Sequence, residues 1–440
     1  MTRNAAAAGA QLRKSIGLFQ AVMYGTGLIL GAGIYVLIGD VAGIAGNATW
    51  ISFALAAAIA AFTGLSYAEL SSMFPKSAAE YVFVKNAFGS NLFAFVAGWL
   101  IIFVAIVSAA AVAIGFAGYF ASFVPQADRL LAAVALVAVL SAVNFIGIRE
   151  STWTNAVFAI IEVAGLATII GAGLFLGSPG STDYYEMPPS VTSLPVAFGA
   201  IVGAAGLIFF AYFGFENLAN IAEETKNARR TIPVALVVSI AVTTVIYILV
   251  AVSAVALVGW EALSQSDAPL AFAAEKAFGR VGVIMLASIG LFATTNTVLM
   301  LLVAGSRIIF GMAADRALPF SLSTIHPKTR TPARAVIAAM VLTAAVVAVS
   351  SGRIDAVARV AVFGIFMVYT LVNLSLIWLR YKKPDLERPF RTPGTIGRFP
   401  ILAGLGLATS LWMLTQFDWM TAAAGVAAAG SAVLFYRPKR

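Results

Sequence analysis

The sequence predicts an all-α polytopic membrane protein with twelve transmembrane helices. Hydrophobic residues make up 61% of the 440 positions and charged residues only 11%, a composition typical of membrane-embedded chains. Apolar runs near or above the roughly 20 residues that cross a bilayer recur along the whole chain. The predicted spans are 16–38, 48–72, 91–124, 130–148, 153–176, 195–222, 233–259, 280–308, 333–351, 356–379, 399–417 and 419–436.

The distribution of basic residues predicts the orientation. With these spans, the side opposite the N-terminus carries only five of the 28 Lys and Arg residues, which are Arg129, Lys276, Arg280, Arg353 and Arg359. The positive-inside rule then places both termini in the cytoplasm, and we expect the cytoplasmic (inner) cell membrane. The net charge of +9 indicates contact with anionic membrane lipids rather than with nucleic acid.

The first span contains an unusual glycine pattern. Gly25, Gly27, Gly31 and Gly33 fall within nine residues, and each costs a helix about 1 kcal/mol relative to alanine. Unwound backbone is tolerated in a membrane only where it is buried in protein or lines a cavity. We therefore predict a helix break at Gly31-Ala32-Gly33, with free amides that face an anionic group. Close helix packing through a small-xxx-small motif is the alternative interpretation.

The sixth span contains a second candidate break. Phe209-Phe210-Ala211-Tyr212-Phe213 is followed by Gly214, Phe215, Glu216 and Asn217 in the middle of an apolar run. Glu216 is either a structural group, as a cap or a tie between helices, or a group that works directly on substrate or protons. Breaks in spans one and six have the offset of a five-plus-five inverted repeat. The predicted core is 1–379, with repeats at about 16–176 and 195–379, followed by a basic cytoplasmic loop at 380–398 and a two-helix hairpin with its tail at 399–440.

Other polar groups inside the spans are candidates for ion coupling. Glu162 lies well within span five, where an ionised carboxylate must be paired, protonated or hydrated. It is either a proton carrier or a structural hydrogen-bonding residue. The hydroxyls of the run Thr294-Thr295-Asn296-Thr297 in span eight, with Thr294 and Thr295 as the coupling candidates, either bond to their own helix or line a cavity as ion ligands. Glu69 is expected to be an interfacial carboxylate, and 306–319 to form an amphipathic loop helix. The final hairpin is expected to serve packing, lipid contact or dimer formation.

Several motifs together resemble the amino acid–polyamine–organocation (APC) superfamily. They are Gly31-Ala32-Gly33-Ile34, Ser66-Tyr67-Ala68-Glu69-Leu70 with Phe74-Pro75, the segment from Phe209 to Glu216 with Ala222-Glu223-Glu224, and Ser306-Arg307 with Leu318-Pro319. The resemblance covers spans one to ten. It implies the leucine-transporter fold and secondary active transport of amino acids by alternating access.

The resemblance also implies roles for individual residues. The backbone around Ala32 and Gly33 would hold the substrate carboxylate, with the Ile29 carbonyl nearby. The carbonyls of Phe210, Ala211 and Phe213 would meet the substrate amine. Phe209 and Phe210 are candidates for an aromatic gate. Proton-coupled relatives carry a lysine in span five, where this chain has Glu162, so the lysine mechanism is not carried over.

These observations favour a transporter of neutral or apolar amino acids, since no charged side chain lies in the first span's motif. A polyamine or amine permease, in which Glu162 or Glu216 pairs the extra charge, and an amino acid exchanger are the alternatives. A proton is favoured over sodium as the coupling ion, and no cofactor or metal is expected. The chain has no cysteine and a single loop histidine, which argues against a membrane enzyme. No filter repeat or ring of charge indicates a channel.

Overall fold

The computed structural model describes residues 12–124, 126–266, 268–350 and 354–436. For Ala32, Val36, Ser122 and 354–358 it describes the backbone alone. The first residues of the predicted core, 1–11, and the end of the predicted tail, 437–440, lie outside the described residues.

The described chain is almost entirely helical. Its α-helices, in chain order from α1 to α16, are Leu18–Leu30, Ala32–Ala45, Thr49–Met73, Ala79–Phe88, Asn91–Phe123, Arg129–Ile146, Ile148–Phe175, Leu194–Tyr212, Asn217–Asn220, Ala228–Ser264, Pro269–Phe278, Arg280–Ala314, Ala333–Val349, Ile354–Lys382, Ile401–Leu414 and Trp419–Phe435. Short 3-10 turns cover Gly46–Ala48, Ala222–Glu224 and Phe320–Ser323. Two two-residue strands, β1 (Thr395–Ile396) and β2 (Phe399–Pro400), form an antiparallel pair that joins the end of the predicted basic loop to the start of the predicted hairpin.

The helices confirm a polytopic all-α membrane protein. Among the described residues, nine helices are long and apolar enough to cross a membrane, or ten if the bent pair α15 and α16 is one span. Helices α15 and α16 are inclined at 119° to each other. Asp418 begins α16 as its N-cap, because its carboxylate accepts hydrogen bonds from the amide and hydroxyl of Thr421.

Several predicted boundaries differ from the structure. The first span continues as α2 to Ala45, and the fifth begins at Ile148. The predicted amphipathic loop helix at 306–319 is the last part of α12, which continues unbroken from the span and ends at Ala314. Ser306 and Arg307 are fully buried in this last part of α12. Packing against neighbouring elements therefore stabilises the helix beyond the apolar run that hydropathy detects.

Helices α4 and α11 lie between the spans and were not predicted. Both are ten residues long and carry charged groups, so neither has the hydropathy of a span. The seventh predicted span, in contrast, ends at Gly259, where α10 has a kink with a φ of 76°. That value lies in the left-handed region that favours glycine.

Buried ion pairs fix the loops to the helix ends. The guanidinium of Arg307 in α12 binds Glu224 through Nε at 2.8 Å and Nη2 at 3.2 Å. Arg380 at the end of α14 donates to Glu69 of α3 at 2.6 Å. Removing one partner of such a pair leaves a buried charge, which typically costs 3–5 kcal/mol. Glu69 is thus an ion-paired structural carboxylate at the end of its helix.

Candidate functional site

The first break lies between α1 and α2. Gly31 is the single non-helical residue there, with φ −39° and ψ −160°, so the break is narrower than the predicted Gly31-Ala32-Gly33. The amides of the first turn of α2 have no acceptor within their own helix and form the positive end of its dipole. A Cβ at Gly31 would overlap the hydroxyl of Thr297 in α12. Glycine is therefore required for the close approach of α12.

The second break follows α8. Phe213 is extended and Gly214 has a φ of 122°, which favours glycine. The buried carboxylate of Glu216 accepts hydrogen bonds from the Gly214 amide at 3.0 Å, the Asn217 side chain at 2.9 Å and the Tyr369 hydroxyl at 2.8 Å. These three donors let Glu216 stabilise the unwound segment.

The two breaks are in direct contact. A Cβ at Gly33 would lie 2.7 Å from the Cα of Ala211, so the start of α2 packs against the backbone near the end of α8. The buried hydroxyl of Tyr247 in α10 lies between the two broken helices. Its single proton can be donated to the carbonyl of Ile29 or shared with that of Ala211, whose oxygen lies 3.1 Å away. Tyr247 therefore sets the distance between the two breaks.

A small cavity lies between the breaks. Its volume is about 30 Å³, enough for roughly two water molecules. None of its described lining residues carries a charged side chain. The lining consists of Leu28, Ile29, Gly31, Gly33, Ser108, Val112, Phe210, Ala211, Phe213, Gly214, Thr297 and Leu301. The hydroxyl of Ser108 is buried without a hydrogen-bond partner among the described residues. The cavity thus combines backbone polar groups, two hydroxyls and an apolar wall.

The structure brings most of the predicted substrate-binding residues to this cavity. Five of the six line it, which are Ile29, Gly33, Phe210, Ala211 and Phe213. Ala32 opens α2 between the lining residues Gly31 and Gly33. The rings of Phe210 and Phe213 stack with centroids 6.3 Å apart. Phe209 lies elsewhere, with its ring 4.8 Å from that of Phe366 in α14.

Glu162 lies outside the cavity, in a buried polar cluster between α7, α12 and α1. Its Oε1 accepts a hydrogen bond from Asn296 at 3.1 Å, and Asn296 also approaches the Gly27 carbonyl at 3.4 Å. Oε2 of Glu162, Oδ1 of Asn296 and both polar atoms of the Asn155 side chain are buried without a partner among the described residues. Unpaired polar atoms are costly in a protein interior, so this cluster is suited to hold a proton, an ion or water.

The other coupling candidates make internal contacts. The hydroxyl of Thr294 donates to the Gly290 carbonyl at 2.8 Å, and that of Thr295 to the Leu291 carbonyl at 2.7 Å. Both therefore bond to their own helix, one turn back. Neither residue lines the cavity, and neither does Glu216.

Another buried carboxylate, that of Glu80, belongs to α4 between the spans. Glu80 in α4 accepts hydrogen bonds from Tyr67 at 3.2 Å and from Asn220 at 3.3 and 3.2 Å. Burial is the main cause that raises the pKa of Glu80 to about 7, and the charge of Glu216 also raises it. The donated hydrogen bonds act in the opposite direction. Glu80 therefore titrates near neutral pH at the edge of the spans.

Of the polar run 294–297, Thr297 lines the cavity and Asn296 contacts Glu162. Sequence reasoning missed Tyr247 and Ser108. Each is a single polar residue in an apolar helix, and such residues commonly bond to their own backbone. The interruption of an apolar run by Tyr247 was the signal available, but it does not reveal which helices face that side chain.

Comparison with known proteins agrees with this geometry. The profile of the family described as amino acid permease matches residues 16–435. The chain belongs to the amino acid permease family. This permease is therefore an integral membrane transporter of the APC superfamily rather than a member of an enzyme family.

Individual relatives of the permease differ in their substrates. It is 30% identical to a branched-chain amino acid permease of Bacillus subtilis (strain 168) over 93% of this chain and 89% of the relative. It is 29% identical to a methylthioribose transporter of the same strain, over 96% and 92%. It is also 29% identical to cationic amino acid transporter 4 of Homo sapiens, over 89% of this chain and 63% of that protein.

Proposed function

We propose that this permease carries neutral, predominantly apolar amino acids by alternating access. The observation that supports this proposal most is the cavity between the two breaks, whose described lining has no charged side chain. A zwitterion can be held there by backbone groups alone. A cationic substrate would bring a further charge that no lining carboxylate neutralises, which is costly in a buried site.

The two ends of the substrate have complementary partners. The amides of Ala32 and Gly33 at the start of α2 would bind the carboxylate, because a helix N-terminus attracts anions. The carbonyls of Phe210, Ala211 and Phe213 would bind the ammonium group, with the Ile29 carbonyl nearby. A carbonyl oxygen has two lone pairs, so the bond from Tyr247 leaves Ala211 able to accept another.

The side chain of the substrate would occupy the space between α5, α8 and α12. Val112, Leu301 and Phe210 offer apolar contacts there, and Ser108 offers a free hydroxyl. Because the cavity holds only about 30 Å³, binding an amino acid requires its walls to move apart. Phe209 and Phe210 would form the gate that moves, with Phe209 transmitting the motion to α14 through Phe366.

Glu162 is the proposed coupling residue, with a proton as the coupling ion. An ionised carboxylate is expensive inside a membrane unless it is paired. Among the described residues, Glu162 has one amide donor and no cationic partner. It touches α1 through Asn296 and the Gly27 carbonyl, so a change in its protonation would reach the first break. Glu216, Thr294 and Thr295 are alternative coupling sites, and sodium is the less favoured ion.

The finer architecture is part of the same proposal. The breaks after α1 and α8 support the leucine-transporter fold, with inverted repeats at about 16–176 and 195–379 in a core of 1–379. Twelve spans would result if α13, α15 and α16 each cross the membrane. The basic loop at 380–398 and both termini would then be cytoplasmic by the positive-inside rule, in the cytoplasmic membrane.

A thermal-shift screen of the detergent-purified protein against amino acids and polyamines tests the substrate class. A ligand that binds only the folded state raises the unfolding temperature by mass action. We expect a saturable rise with branched-chain or other apolar amino acids. A rise with arginine or putrescine alone would reject the neutral substrate and favour a cationic one, and a rise with methylthioribose alone would reject both.

A further inference from the structure

A strongly basic cavity lies at the end of α14. Its volume is about 360 Å³, and its lining residues are Arg380, Pro384, Leu386, Arg388, Arg391 and Arg398. Four arginines thus surround one space, and no described acidic residue lines it. Like charges that converge in this way repel each other unless a counter-charge is present.

A single carboxylate lies behind the cavity. Glu69 of α3 binds Nη2 of Arg380 at 2.6 Å, and Nε of Arg388 is 3.2 Å from its other oxygen. The Nη groups of Arg388 donate to backbone carbonyls, among them Leu379 and Lys383 at the end of α14. One carboxylate therefore supports two guanidinium groups.

Arg380 has donors left over. Its side chain is only 3% exposed, and its Nε and Nη1 have no hydrogen-bond partner among the described residues. A buried guanidinium with unused donors is unusual, because each one left unpaired carries a desolvation cost. These donors belong to a residue that lines the cavity, where an acceptor would satisfy them.

In the outer part of the cavity, too, positive charges lack an acidic partner among the described residues. Arg391 and Arg398 are exposed and make no hydrogen bond or ion pair with the described part of the chain. The nearby Glu387 pairs instead with Arg229 of α10 at 3.2 Å. Burial is the main cause that lowers the pKa of Arg388, and the charges of Arg380 and Arg391 lower it further, while Glu69 acts in the opposite direction.

We propose that this arginine cavity binds a phosphate group. Guanidinium forks match the geometry of phosphate oxygens and bind them in a bidentate way. The cavity begins at the last turn of α14, a helix long and apolar enough to cross a membrane, so lipid phosphates would be within its reach. The phosphate belongs either to a lipid headgroup or to a soluble phosphate, and both offer the same chemistry. Phosphate bound there would fix the loop after α14 to α3, since Glu69 and Arg380 already join them.

Two probes distinguish the sources in thermal-shift titrations of the full-length, detergent-purified protein. One is inorganic phosphate against chloride at matched ionic strength, and the other is phosphatidylglycerol against phosphatidylcholine in mixed micelles. The test variant is Arg391→Ala with Arg398→Ala, which removes two exposed side chains and leaves the Glu69 pairs intact. The control is Arg13→Ala with Lys328→Ala, which removes two exposed cations from other segments.

We expect a saturable stabilisation of the unsubstituted protein whose half-maximal concentration rises about tenfold in the test variant and stays unchanged in the control. Stabilisation by phosphatidylglycerol alone assigns the cavity to a lipid headgroup, and stabilisation by inorganic phosphate assigns it to a soluble phosphate. The absence of saturable stabilisation by either probe, or equal weakening in both double variants, would overturn the proposal.

Discussion

The side-chain amide of Asn296 donates a hydrogen bond to Oε1 of Glu162 at 3.1 Å, while Oε2 of the same carboxylate has no partner among the described residues. This half-satisfied carboxylate lies between α7 and α12, beside the first broken helix. Through Asn296, this ionisable carboxylate is linked to the Gly27 carbonyl of α1, the helix that ends at the first break of the proposed substrate site.

The first prediction concerns Glu162→Gln. Glutamine keeps the shape and the contact with Asn296 but cannot ionise. We expect exchange of labelled amino acid across proteoliposomes to persist and accumulation driven by a pH gradient to be lost. Glu150→Gln, an exposed change in the same helix, is the control and should keep both activities. An unaltered pH dependence in Glu162→Gln would reject Glu162 as the coupling residue.

The second prediction concerns Tyr247→Phe. The change removes the hydroxyl that contacts the Ile29 and Ala211 carbonyls, and a lost buried hydrogen bond costs about 1–3 kcal/mol. We expect a lower unfolding temperature and a KM about tenfold higher, because the distance between the breaks is no longer fixed. Tyr185→Phe, at a 70% exposed position, should change neither quantity. An unchanged KM in Tyr247→Phe would show that the hydroxyl does not position the site.

The third prediction concerns Gly33→Ala. The new methyl group would lie 2.7 Å from the Cα of Ala211, and a backbone atom cannot move aside cheaply. We expect uptake to fall more than about tenfold, because even small displacements of a binding constellation are costly. Gly203→Ala in α8 is the matched control, since its Cβ would meet open space. Equal uptake by the two variants would show that the breaks need not touch.

The fourth prediction concerns the pH dependence of stability. The pKa of Glu80 is about 7 in the folded protein, mainly through burial, against an ordinary value of 4.5. Between these values the folded state holds a proton that the unfolded chain releases, so stability falls as pH rises, by up to about 3 kcal/mol. The contribution is complete below pH 4.5 and is lost as pH passes through 7.

Glu80→Gln should therefore reduce the difference between the unfolding temperatures at pH 5 and pH 8. The comparison with the unsubstituted protein cancels the contributions of other carboxylates. Glu387→Gln, at an exposed position, should leave the difference unchanged. An equal pH effect in both variants would mean that Glu80 does not titrate in this range.

Backbone features of the site were predictable from sequence because they require particular residues. A glycine cluster in an apolar run predicted the break at Gly31, and Gly214 marked the second break, where its φ is 122°. Hydropathy likewise predicted the polytopic helical class. These signals are local, since each depends on neighbours along the chain.

The remaining features depend on which helices face each other. Tyr247 lies 36 residues after Ala211 and 218 after Ile29, so no local pattern connects them. Glu69 and Arg380 are 311 residues apart, so no local pattern predicts their ion pair either. Helix α4 was missed because a charged helix outside the spans leaves no hydropathy signal.

The central claim is that the uncharged cavity between the breaks binds neutral amino acids. Counterflow in proteoliposomes tests it most directly, with labelled leucine outside and unlabelled leucine, arginine or putrescine inside. We predict that internal leucine drives accumulation of the label, that arginine and putrescine do not, and that Gly33→Ala abolishes the effect while Gly203→Ala retains it. Accumulation driven by arginine or putrescine but not by leucine would contradict the account.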